Sequence, residues 1–101
     1  MRRGEIWRYN PVIARPGGST ARLIVSSNGI NQVEELPVVL GLQIVAGDPG
    51  GLLAVEVAPW GWASAVGVEQ VLRRRLVEQL DTVSPEVMDQ IDSALRAALE
   101  L

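Results

Sequence analysis

Arginine supplies all nine basic side chains of this sequence, and the chain has neither histidine nor cysteine. The commonest general base and the commonest metal ligand are thereby missing, together with any thiol nucleophile or disulfide. Zinc chemistry and Ser-His-Asp hydrolysis are not expected. A guanidinium suits a different task, because it is planar and holds two oxygens of one phosphate at once. Arg22 opens an apolar segment, where it would also serve as an ordinary salt-bridge partner at a strand start. In Arg15-Pro16-Gly17-Gly18-Ser19-Thr20, the two glycines would let backbone amides approach a phosphate and Ser19 adds a hydroxyl, although a plain connector has the same composition. Arg73-Arg74-Arg75 reads either as a phosphate-binding run or as a solvated turn.

These residues need elements to position them. Glu5 to Tyr9 alternates, with Ile6 and Arg8 on one face and Glu5, Trp7 and Tyr9 on the other. The prolines and glycines of Asn10 to Thr20 make a long loop, and Arg22 to Ser26 is a second strand. Asn28-Gly29 is a turn signal, with a helical turn over Ile30 to Glu35. Leu36 to Ala46 is a buried strand with Gly41 at an expected bulge. Further strands are expected over Leu53 to Val57, Ala63 to Leu72 and Leu76 to Val83, with Trp60 and Trp62 filling the core between. Adjacent Glu69 and Gln70 must face opposite sides of their strand. Gln70 is assigned to the substrate side, leaving Glu69 a weaker candidate for a proton acceptor. Ser84-Pro85-Glu86 opens a helix over about 85–100, with Val87, Met88, Ile91, Leu95, Ala98 and Leu99 as its apolar stripe and Asp92 paired to Arg96. Many short strands and one terminal helix predict a mainly β fold: a small closed barrel in a single domain spanning residues 1–101.

Three segments carry a family likeness. Arg3-Gly4-Glu5-Ile6-Trp7 resembles the opening of MazF/PemK toxins. Arg22-Leu23-Ile24-Val25-Ser26-Ser27, followed by Asn31, is similar to that family's second strand and its downstream asparagine. Ser64 to Val71, Arg75-Leu76 and Ser84-Pro85-Glu86 resemble its later strand and helix start. The resemblance implies an SH3-like barrel that dimerises and cuts single-stranded RNA without metal or cofactor, as the toxin of a type II toxin–antitoxin pair. It implies attack by the 2′-hydroxyl next to the scissile phosphate, with Arg22 as the catalytic cation. The family's catalytic threonine falls on Gln43, whose amide donates a hydrogen bond but shuttles no proton. Arg15, Gly18, Ser19 and Gln70 are the implied RNA-binding residues. A catalytically impaired dimer that binds antitoxin or nucleic acid without cleaving is the alternative. A gyrase-poisoning relative would end in Trp-Gly-Ile, whereas this chain ends Ala98-Leu99-Glu100-Leu101.

Composition is compatible with that reading. Apolar residues make up 48% and charged residues 21%, enough to fold a small core. The net charge of -3 argues against a broad nucleic-acid-binding surface. Neither a signal peptide nor a membrane span is expected, which points to the cytoplasm.

Overall fold

A computed structural model describes residues 1–13, 16, 18–51 and 53–101. Seven antiparallel strands form the sheet: β1 (Glu5–Tyr9), β2 (Ala21–Ile24), β3 (Val38–Val45), β4 (Ala54–Glu56), β5 (Trp62–Ser64), β6 (Glu69–Leu72) and β7 (Leu76–Thr82). Two α-helices, α1 (Asn28–Asn31) and α2 (Pro85–Leu99), complete the described elements apart from two short 3-10 turns. The hydrogen-bonded path runs β4-β5-β3-β2-β1-β7, with β6 also on β3. Among the described residues no ladder joins β4 to β7, so the expected closed barrel is, in its hydrogen bonding, an open sheet. The flank beside the three-residue β4 is covered by side-chain packing of α2.

Alternation sorts the strands into two faces. One face supplies Ile6, Leu23, Leu42, Ile44, Val55 and Ala63 to a core that α2 closes with Ile91, Ala94 and Leu95. Burial of those three helix residues follows their helical spacing. Ser84 caps α2 by accepting from the Val87 amide at 3.2 Å, Pro85 occupies its first turn, and Glu86 lies near its positive end. Two expectations fail here. Leu99 is exposed rather than part of the buried stripe. Asp92 pairs at 2.7 Å with Arg3 Nη2 instead of Arg96, because the Arg3 Nε–H is anchored on the Val25 carbonyl and carries the guanidinium to the helix.

The other face gathers Ile24, Val39, Val71 and Leu76 with Trp7 and Tyr9 packed beside them. Gly41 is no bulge. It sits in regular register opposite Ile24 on β2 and Glu69 on β6. The predicted strand 63–72 is divided: β5 pairs with Ile44 and Val45, a 3-10 turn follows at Ala65–Gly67, and β6 then pairs with Val38 to Gly41. Trp60 is exposed rather than in the core, and its indole N–H donates to Asp81 Oδ2 at 2.7 Å. That bond, followed by the Thr82 amide, holds the Asp81 carboxyl below its ordinary value of 3.8.

The downstream asparagine has a structural task. Asn31 is buried and exchanges hydrogen bonds with Ser26, through its own amide to the Ser26 carbonyl and through the Ser26 hydroxyl to its oxygen. Arg73 seals the same corner by donating to the carbonyls of Ile30, Asn31, Val33 and Leu36. It is therefore a tie for the end of α1, where a helix leaves carbonyls unpaired.

Candidate active site

The second sheet face converges on Arg22. Antiparallel register sets Arg22 opposite both Trp7 and Gln43, so its side chain shares a face with Gln43 on β3 and, beyond it, Glu69 on β6. To meet Glu69 the Arg22 side chain must cross the intervening strand. Gly41 leaves that path open: a Cβ there would lie 3.8 Å from Arg22 Cβ and within 3.0 Å of Val71 Cγ2. Arg22 Nε–H then donates to Glu69 Oε1 at 2.8 Å.

Nη1 and the face of the guanidinium are held as well. Its Nη1 donates to the Ala21 carbonyl at 3.0 Å and to the Ser19 hydroxyl at 3.1 Å. Its carbon lies 4.1 Å from the centroid of the Tyr9 ring, a cation–π distance. Arg22 as a whole is only 6% exposed, a burial that an unpaired cation would not survive. Nη2 has no hydrogen-bond partner among the described residues, and Arg22 lines a cleft of about 300 Å³ with Pro11, Ile13, Gly18, Ser19, Thr20 and Gln43.

Gln43 Nε2 donates to the other oxygen of Glu69, Oε2, at 3.3 Å. Beyond Gln43 lies a second hollow of about 450 Å³, lined by Val45, Pro49, Ser64, Val66, Val68 and Glu69 among others. Gln43 therefore borders both spaces. Ser19 Oγ–H is directed at the Ile44 carbonyl, 2.6 Å away, while the same oxygen accepts from Arg22. A hydroxyl has one hydrogen, so Ser19 holds Arg22 and has no donor left for a ligand.

Of the residues singled out from the sequence, Arg22, Gln43, Gly18 and Ser19 come together at this cleft. Arg15 lies outside the described residues. Gln70 stands opposite Leu40, exposed, and is not among the cleft residues; its neighbour Glu69 faces Arg22 instead. Parity along β6 separates residues 69 and 70 but does not say which faces the cleft. Tyr9 was also missed; its position two residues from Trp7 on the face opposite Ile6 was the available signal.

The sequence matches the model of the PemK-like, MazF-like toxin of type II toxin-antitoxin systems over residues 2–99. The chain belongs to that family. Among solved structures it resembles an endoribonuclease from mycobacterial species, with TM-score 0.80, 26% identity, and coverage of 100% of this chain and 92% of that one. A mycobacterial endoribonuclease in complex with its cognate antitoxin is similar at TM-score 0.79 and 26% identity, covering 100% and 94% of the two chains. MazF from Deinococcus radiodurans shares the fold at TM-score 0.78 and 16% identity, with 100% and 97% covered. Among curated proteins, none matches this sequence. Among the described residues, no helix is long and apolar enough to cross a membrane.

Proposed function

We propose that this PemK/MazF-type toxin is an endoribonuclease that cuts single-stranded RNA by internal attack of a 2′-hydroxyl. The observation that carries the reading is Arg22: a buried guanidinium, fixed on three sides, whose Nη2 has no hydrogen-bond partner among the described residues and which stands at the wall of a cleft. Negative charge grows on the non-bridging oxygens when the 2′-oxygen bonds to phosphorus and the bond to the 5′-oxygen breaks. A cation already oriented toward that position lowers the barrier without reorganising at the moment of reaction. The products would be a 2′,3′-cyclic phosphate and a 5′-hydroxyl end. Hollows on both sides of Gln43 offer space for the nucleotides flanking the scissile phosphate.

In this reading the curled sheet acts as the small SH3-like barrel of the family, works as a cytoplasmic homodimer, and is restrained by a cognate antitoxin. The mycobacterial neighbours support the activity at 26% identity over the whole chain, and one of them is bound to its antitoxin. Purified protein incubated with a long unstructured RNA should yield defined fragments. Arg22→Lys, which keeps the charge but loses the fork, should slow cutting by about 100-fold or more. No fragments from the unaltered protein, or undiminished cutting by Arg22→Lys, would overturn the proposal.

A further inference from the structure

We infer that Glu69 is a positioning residue that aims both Arg22 and Gln43, and that it makes Gln43 the acceptor for the substrate's 2′-hydroxyl. The inference rests on the nuclease reading and assigns roles within that site. An ionised carboxylate only accepts hydrogen bonds. Oε1 of Glu69 receives Arg22 Nε–H at 2.8 Å, and Oε2 receives Gln43 Nε2 at 3.3 Å. A primary amide beside such an oxygen must present its NH2 group, because its own oxygen would meet another acceptor. With Nε2 turned to Glu69, the carbonyl Oε1 of Gln43 points away from the carboxylate, and it has no donor among the described residues.

What that carbonyl can bind follows from its chemistry. Phosphate oxygens are acceptors and give it nothing. The ribose 2′-hydroxyl is both donor and acceptor, and it distinguishes RNA from DNA. Gln43 and Arg22 are directly opposed across β2 and β3, a pairing that sets Cβ atoms about 5 Å apart. Both side chains therefore rise from one place on the same sheet face, within reach of the 2′-hydroxyl and 3′-phosphate of a single nucleotide. Gln43 thus stands where the resemblance places a threonine and does a different job: it holds the attacking hydroxyl instead of donating to the phosphate. Gly41, opposite Glu69 on β3, carries no side chain to stand in the path from Arg22 to Glu69.

The test uses the full chain and the 3′-phosphorylated fragment left after its own cutting and opening of the cyclic end. That fragment, and the same oligonucleotide lacking only its terminal 2′-hydroxyl, are compared as competitive inhibitors. The unaltered protein should favour the hydroxylated form about tenfold. Glu69→Ala should erase the preference and lower kcat far more than it raises KM, and Gln43→Leu should erase it too. Glu69→Gln, which keeps one acceptor oxygen, should fall between. Retention of both preference and kcat in Glu69→Ala overturns the inference while leaving the nuclease reading intact. A preference that survives Gln43→Leu but not Glu69→Ala also overturns it, since Glu69 would then touch the hydroxyl itself. Failure of the unaltered protein to cut any RNA removes the nuclease reading and this inference together.

Discussion

A Cβ built on Gly41 would come within 3.0 Å of Val71 Cγ2 and 3.1 Å of the Leu23 carbonyl oxygen. The first neighbour is a methyl that can yield, whereas the second is backbone inside a paired strand and cannot shift cheaply. Gly41→Val should therefore cost about 1–3 kcal/mol of stability, as overpacking does, and should also push Arg22 off Glu69. Thermal unfolding reads the first effect; the rate of RNA cutting under conditions where the variant remains folded reads the second. Unchanged values of both would mean that the site does not depend on this gap. The sequence marks Gly41 as unusual within an apolar run, but it does not say whether a bulge or a close approach is the cause. Only the partner strands decide that, since β2 and β6 flank β3 at this very residue. Ser19 has the same limit: its hydroxyl is visible in the sequence, but the use of its hydrogen on the Ile44 carbonyl depends on long-range register.

Elements were legible where local rules dominate. The Ser-Pro-Glu start of α2 satisfies orphan amides by itself, so the helix appears where its signature falls. Ser84→Ala should lower stability by about 1 kcal/mol in denaturant unfolding, and a loss near zero would show that tertiary packing alone holds that end. The division of 63–72 was not legible, because apolar alternation continues through Val66 and Val68 while the backbone turns between them. The Trp60–Asp81 bond likewise joins elements distant in sequence. Asp81 is depressed first by Trp60 and then by the Thr82 amide, so its ionised form is favoured in the fold. The sign follows: the bond's contribution is present above the ordinary carboxyl value and is lost as pH falls through the lower native one. Trp60→Phe should raise the Asp81 carboxyl toward 3.8, which carbon-detected NMR titration would register; an unmoved carboxyl would show that Trp60 is not its main partner.

At the scale of the whole molecule, the question is how a chain with net charge -3 holds a polyanion. Four of its nine arginines are already engaged within the fold. Arg3, Arg8 and Arg22 already face Asp92, Glu78 and Glu69, and Arg73 spends its donors on backbone carbonyls. The acidic balance also adds a weak general repulsion. If RNA is held at the Arg22 cleft alone, binding comes from few phosphate contacts, with bases and sugars in the two hollows supplying the remainder. Counterion release makes this measurable, because for single strands the slope of log K against log salt is about -0.7 per phosphate neutralised. Two or three contacts predict a slope no steeper than about -2. Titration of an oligoribonucleotide with a catalytically slow Arg22→Lys protein, across a series of salt concentrations, gives the value directly. A slope of about -5 or steeper would require a broad cationic surface. RNA would then extend beyond the Arg22 cleft onto arginines outside these ion pairs, such as the exposed Arg74 and Arg96, or would open the pairs themselves.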